Sequence, residues 1–156
     1  MLKSVVFIFI IILLSLEGCA VSTTFTGPKS QRLEKNQEVI VVVTHAILKE
    51  TSEKKSTFWS YVTQIENSLN EHDGFIGFSK RRTLLGDEAW TLTVWKDVAS
   101  LNKFVRSKIH QRAIQEAMPS LNSMRFTRFT TSAKKLPVPW EQALKVLEEQ
   151  NIREER

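Results

Sequence analysis

The 156-residue sequence is poor in the residues that build reactive centres, with one cysteine, three histidines and five glycines. A single cysteine cannot form an intramolecular disulfide, and the scattered histidines leave no zinc-site spacing. Glycine-rich phosphate loops, nucleophile elbows and any Ser-His-Asp arrangement are also missing. The usual hydrolases, kinases and dehydrogenases are therefore excluded, and no metal site is predicted.

A strong charge of one sign is missing too. The 22 Lys and Arg residues against 17 Asp and Glu residues give a formal net charge of +5. That balance suits an anionic membrane surface or an acidic small molecule as well as nucleic acid, and selects none of them. We predict no nucleic-acid partner. The hydrophobic content of 42% and charged content of 25% are ordinary for one globular domain.

Only one long apolar run exists, the ten residues from Val5 to Leu14. It has the length of a signal-peptide core and is too short to span a bilayer. Cys19 follows five residues later in the stretch Leu16-Glu17-Gly18-Cys19. We therefore predict an export signal over residues 1–18.

That four-residue stretch resembles the lipobox of bacterial lipoproteins, from which Glu17 is the one departure. The resemblance implies that Cys19 becomes the lipidated first residue of the mature protein and attaches it to a membrane. Ala20 after the cysteine resembles the sorting choice for the outer membrane, so the expected location is the bacterial cell envelope, facing the periplasm. The alternative is an uncleaved anchor with an incidental thiol.

Four segments are expected in all: the signal over 1–18, a flexible tether over 19–37, a folded domain over 38–133 and a C-terminal extension over 134–156. The tether is rich in Ser, Thr, Lys and Gln and lacks periodicity. The domain opens on EVIVVVTH, whose five consecutive aliphatic residues predict a strand buried on both faces. A helix with apolar positions from Phe58 to Leu69 follows, and then a strand over 75–85.

The stretch from Glu88 to Ala113 organises this domain. Alternating apolar residues predict a strand that ends at Trp95, and Asp97 is placed to cap the helix that follows. This helix is expected to bend near Ser107, and residues 122–132 predict a last strand. The order β-α-β-β-α-β is the ferredoxin-like α+β fold.

Two helices cover only one face of such a sheet, and we predict that Trp95 lies on the other. A second copy of the sheet would cover that face and give a C2 homodimer, a dimeric α+β barrel with a cavity between its subunits. In the competing interpretation the C-terminal extension closes that face. We expect instead that its short amphipathic helix from Trp140 clasps the outside of the domain or the partner chain.

The segment from Thr91 to Ala113, with Val94-Trp95, the Asp97 cap and His110, resembles the dimeric α+β barrel proteins grouped with antibiotic-biosynthesis monooxygenases, most closely their spheroidene-monooxygenase-like branch. The resemblance covers about residues 38–133. It implies a cavity that binds a small hydrophobic or aromatic molecule, sometimes with haem, and oxygenates it. The related haem-degrading branch is a poorer match, because its functional positions fall on His45, Phe104 and Ile114 and none has the expected residue.

Five residues are candidates for the site. His110 is the catalytic candidate, as a proton shuttle or axial ligand, because imidazole titrates near neutrality. Trp95, Phe104 and His45 are expected to bind the ligand, and Arg81 to receive a carboxylate or a haem propionate. The ordinary alternatives are a hydrogen-bonded boundary histidine, a core tryptophan and edge charges that discourage aggregation.

Two functions remain open on this sequence. The first is a monooxygenase-like lipoprotein that acts on a small hydrophobic or aromatic molecule, with haem as the one cofactor left open. The second is a non-catalytic lipoprotein of the same fold that binds such a ligand or a partner protein. Polar groups that converge with His110 in a cavity favour the first.

Overall fold

The computed structural model describes residues 19–28 and 33–154. The predicted signal over 1–18 lies outside these residues. Besides three short 3-10 helices, this part of the chain contains five strands and four α-helices: β1 (Ala20–Ser22), β2 (Glu38–Leu48), α1 (Ser52–Ser68), β3 (Phe75–Thr83), β4 (Glu88–Trp95), α2 (Val98–Val105), α3 (Lys108–Ala117), β5 (Leu121–Ser132) and α4 (Trp140–Glu154).

The five strands form one antiparallel sheet in the order β1-β3-β4-β2-β5. From β2 to β5 the elements run β-α-β-β-α-β, with the second helix divided into α2 and α3. This confirms the predicted ferredoxin-like α+β fold. Central strand β2 lies between β4 and β5, and Val39, Val41 and Val43 are fully buried.

The division of the second helix follows from two caps. The Asp97 carboxylate accepts a hydrogen bond from the Ser100 backbone N–H at 2.7 Å and starts α2, as predicted. The Ser107 hydroxyl then accepts from the His110 N–H at 3.3 Å and starts α3. The bend expected at Ser107 is therefore a break with a cap of its own, which fixes the backbone at His110.

The sheet face opposite α1, α2 and α3 is covered by the chain's own C-terminal segment. Val138, Ala143 and Leu147 are buried there in one cluster with the β2 valines. The Trp140 indole N–H donates to the Ser79 hydroxyl at 3.2 Å and fixes the start of α4 on the sheet. The competing interpretation, in which the extension closes this face, is thus correct, and the expectation that its helix clasps the outside of the domain or a partner chain is wrong. The reason given for a homodimer fails, because no second sheet is needed to cover this face.

The predicted position of Trp95 is also wrong. Along β4, Trp90, Leu92 and Val94 face α4, so alternation turns Trp95 toward the helices. There it is fully buried and stacks on Phe104, with ring centroids 4.8 Å apart. Its indole N–H donates to the Thr93 hydroxyl at 3.0 Å, which satisfies the one polar group of the side chain.

The predicted flexible tether is in part a strand of the sheet. Residues 20–22 pair with Arg81–Thr83, and Thr26 and Phe78 exchange backbone hydrogen bonds of 2.9 and 2.7 Å. The Phe25 ring lies over Gly77, where a Cβ would approach it to 2.1 Å. This pairing uses backbone groups on the open edge of β3, so it needs no apolar periodicity. None of the helices in the described residues is long and apolar enough to cross a bilayer.

Candidate functional site

A cavity of about 430 Å³ lies between the helices and the sheet, within a single chain. This volume is in the lower part of the range of small-molecule sites. Strands β2, β3, β4 and β5 and helices α1, α2 and α3 all contribute side chains to its lining. Its lining is mainly apolar and includes Val42, Ala46, Phe58, Val62, Ile65, Phe78, Ala89, Leu101, Phe104, Val105, Ala113, Ile114, Ala117, Met118, Leu121, Met124 and Phe126.

Short side chains create this space. Ala46 and Ala89 lie on neighbouring strands, and Ala113 and Ala117 lie one turn apart on the facing helix α3. Their four methyl groups leave room between the sheet and α3 that larger side chains would fill. Water finds few hydrogen-bond partners in an apolar space of this kind, so the cavity is suited to an apolar ligand.

The mouth of the cavity is apolar as well. Phe126 on edge strand β5 is 65% exposed, and Met124, Ile114, Met118 and Val105 are also exposed around it. Exposed apolar side chains that meet at one opening are unusual on a soluble surface and mark ligand or partner sites. A bound apolar molecule would remove them from water.

His110 lines the cavity in a fixed orientation. Its Nδ1 lies 3.1 Å from the Val105 carbonyl oxygen, and its ring meets the edge of Phe104 at 4.9 Å. Since a carbonyl oxygen only accepts, Nδ1 carries the proton and Nε2 is left as the acceptor. Burial lowers the pKa of His110, the hydrogen bond to Val105 opposes that shift, and the nearby His72 lowers the pKa further. The side chain is therefore a neutral base near pH 7.

Other polar groups share the cavity with His110: Thr44, Tyr61, Thr91, Thr93, Asn102 and Arg128. They provide a few directional contacts in a mainly apolar space, as small-molecule sites do. Among the residues that the structure describes, no group of three His, Cys, Asp or Glu side chains could hold a metal ion.

Haem fits this site poorly. His110 has the tautomer that an axial ligand needs, but Arg128 is the one cationic side chain in the described lining, and haem carries two propionates. Arg81, which was predicted to receive a propionate, faces the α4 side of the sheet beside Trp90. We therefore assign no role to haem.

The five predicted site residues fall on both faces of the sheet. Phe104 and His110 line the cavity, and Trp95 lies directly behind Phe104 without reaching the cavity. His45 and Arg81 lie on the α4 face, on either side of Trp90. Only Phe104 and His110, two of the five predicted residues, are thus brought together in the cavity.

His45 belongs to a structural group. Its Nε2 lies 2.7 Å from the Glu88 carboxylate, and its Nδ1 accepts from the Arg125 Nε–H at 3.1 Å. The ring is buried and stacks on Trp90 at 4.8 Å. Burial lowers the pKa of His45; the Glu88 hydrogen bond opposes this and the Arg125 charge adds to it. Both ring nitrogens have partners, so His45 has no free atom for a ligand.

Sequence reasoning missed the contributions of α1 and β5. Tyr61 on α1 lines the cavity, as do Met124 and Phe126 on β5. The period-2 alternation of these two β5 residues puts them on one face, and this was the signal available in the sequence.

Comparison with known proteins gives the fold. No family model matches the chain, and neither does any curated protein. Solved structures do match. A conserved protein from Methanosarcina mazei is 20% identical, with a TM-score of 0.55, over 61% of this chain and 94% of its own.

Two further matches carry oxygenase names. SnoaB, a cofactor-independent oxygenase from Streptomyces nogalater, is 17% identical, with a TM-score of 0.51, over 65% of this chain and 98% of its own. A candidate antibiotic biosynthesis monooxygenase from Caulobacter crescentus is 13% identical, with a TM-score of 0.52, over 64% and 92%. At these identities the likeness establishes the fold alone.

Proposed function

We propose that this protein is a membrane-attached, monooxygenase-like protein that acts on a small hydrophobic or aromatic molecule. The molecule binds in the cavity between the sheet and helices α1 to α3 of one chain. His110 is the general base, and Cys19 is the lipidated residue that holds the protein at the bacterial cell envelope. One observation carries the catalytic part: the His110 Nδ1 lies 3.1 Å from the Val105 carbonyl oxygen, which leaves Nε2 as the acceptor beside an apolar cavity.

The chemistry follows from that geometry. An aromatic molecule with an acidic O–H or C–H group would be held by Phe104 and the apolar lining, with the acidic group toward His110. Nε2 would then take the proton, and the electron-rich anion so formed is the species that can donate an electron to O₂. The fold shared with a cofactor-independent oxygenase supports a reaction of this type.

The cavity belongs to one chain, so this proposal does not require a second subunit. Homodimer formation stays a prediction. If a dimer forms, it does not form by pairing the sheet faces while α4 covers them.

The test is oxygen uptake by the purified full chain with a panel of polycyclic phenols. Comparison with His110→Asn isolates the base, because the asparagine amide can still donate to the Val105 carbonyl while no basic nitrogen remains. We expect uptake with at least one phenol and a loss of about 10²-fold or more in the variant, the usual contribution of a general base. Equal rates in the two proteins would remove His110 from the mechanism.

The mainly apolar lining also favours a second candidate function, the binding of an apolar molecule without chemistry. Fluorescence titration with a phenol of the same panel separates the two candidates. Binding that His110→Asn leaves unchanged, together with no oxygen uptake by either protein, would support the non-catalytic function.

A further inference from the structure

The turn between β3 and β4 carries two adjacent exposed leucines. Leu84 is 48% exposed and Leu85 is 74% exposed, and Val21 on the neighbouring strand β1 is 44% exposed. A single exposed leucine is ordinary, but three large apolar side chains at one end of a sheet form a patch. The cavity lies elsewhere, and none of the three lines it.

The chain enters the fold at this patch. The Leu84 backbone N–H donates to the Cys19 carbonyl at 3.0 Å, and β1 continues from there along β3, with Val21 opposite Arg82. Further hydrogen bonds from residues 23 and 26 to β3 hold the segment down. Cys19 is therefore fixed beside Leu84 and is not separated from the domain by a flexible segment.

Either form of membrane attachment puts a bilayer at this end of the molecule. An acyl group on Cys19 would leave the fold beside Leu84. An uncleaved apolar run would end at Leu14, five residues before Cys19. Five extended residues span at most about 18 Å, so the membrane would lie close in this case too.

The polar side chains beside the patch suit a lipid surface. The exposed Arg82 guanidinium lies 6.0 Å from the centre of the Trp59 ring, and Lys55 lies in the same groove. Asp87 and Glu88 also line that groove, and Glu88 accepts a hydrogen bond from His45. Cations meet lipid phosphates, and tryptophan prefers the boundary between lipid and water.

We propose that this end of the sheet, formed by Val21, Leu84, Leu85, Arg82 and Lys55, docks on the lipid bilayer. The leucines enter the headgroup boundary, and the two cations meet phosphates. The inference rests on the membrane attachment proposed above, and it adds a fixed orientation: the domain lies on the bilayer with the β3–β4 turn downward.

Photocrosslinking tests the orientation. The full chain is reconstituted into vesicles of phosphatidylethanolamine and phosphatidylglycerol, with benzoylphenylalanine in place of Leu85 or, as the matched control, of Lys96. Lys96 is exposed and lies at the opposite end of β4. We expect coflotation of both proteins, phospholipid adducts at position 85 and none at position 96.

The other outcomes overturn the proposal in distinguishable ways. Coflotation with equal adducts at the two positions means that the domain is attached but not docked. Absence of coflotation means that the membrane attachment itself fails, and docking with it. A second variant, Arg82→Glu, should reduce the adducts at position 85 several-fold, whereas Arg112→Glu on the exposed surface of α3 should not. An equal reduction in the two variants would remove Arg82 from the docking surface.

Discussion

The two faces of the sheet differ in how they are filled. On the α4 face, Val41, Leu92 and Leu147 belong to a closed apolar cluster, and even the polar His45 has a partner at each ring nitrogen. On the other face, alanines leave a cavity with an apolar mouth and one oriented histidine. The tightly packed α4 face stabilises the fold, whereas the face with the cavity has fewer packing contacts and leaves space for a ligand. We therefore place the proposed function on the face covered by α1, α2 and α3.

The largest effect that this comparison predicts is on the filled face. Leu147 is 3% exposed in the α4 cluster, and Leu147→Ala would leave a cavity there. We expect a loss of about 2–5 kcal/mol in the free energy of unfolding, measured by urea denaturation. A loss below that range would mean that α4 covers the sheet only loosely, and the case for a second subunit on this face would return.

A matched pair of substitutions sharpens the contrast. Ala143 on α4 is fully buried, and Ala113 on α3 is nearly so, but only Ala113 borders the cavity. Ala143→Leu should overpack the filled face and cost about 1–3 kcal/mol. Ala113→Leu should grow into empty space and leave thermal stability unchanged or raised, while weakening ligand binding. Equal destabilisation by both would show that the cavity has no room for added atoms.

How far the sequence predicted this arrangement is clear from particular residues. Periodicity and the Asp97 cap predicted the element order, because apolar spacing and capping are local properties. Alternation along β4 correctly separated Trp95 from Trp90, but it could not tell which layer covers which face. That depended on the distant contact of Leu147 with the sheet. Strand β1 was missed because backbone pairing with an edge needs no side-chain pattern.

The same reasoning explains the split of the predicted site. His45 has the parity of Val39, Val41 and Val43, so it was bound to face whatever covers those valines, and that is α4. His110 was found from local helix spacing, which put it at the border of the polar and apolar faces, together with the family resemblance. Which of its ring nitrogens is free to accept a proton was not visible, since that depends on the Val105 carbonyl oxygen, which lies on the far side of a helix break.

The third prediction concerns pH and involves both faces. Burial lowers the pKa of His45 and of His110 below the usual 6.5, so at mildly acidic pH the unfolded chain binds more protons than the folded chain does. The contribution of these two groups to the free energy of unfolding is fully present above about pH 6.5. It is lost as the pH falls from there through the folded-state pKa values. Urea denaturation between pH 7 and 5 should show this loss.

Variants of the two histidines divide that effect between the faces. His45→Gln and His110→Asn should each flatten part of the dependence of unfolding free energy on pH. His45→Gln should also lower stability at pH 7, because the Glu88 and Arg125 contacts are changed. Stability that rises as the pH falls below 6.5 would contradict the lowered pKa values.

The smallest expected effect on stability is at the cavity mouth. Phe126 is 65% exposed on edge strand β5 and borders the cavity without packing in a core cluster. Phe126→Ser should change the free energy of unfolding by no more than about 0.5 kcal/mol, as surface substitutions do. The same change should weaken phenol binding measurably by fluorescence titration, because a bound apolar molecule would bury that ring.

Phe129, on the opposite face of β5 against the α4 cluster, is the matched control. Phe129→Ser should destabilise the protein and leave binding to the folded fraction intact. The reverse pair of results would mean that the ligand binds on the α4 face, and the assignment of function to the face covered by α1, α2 and α3 would be wrong.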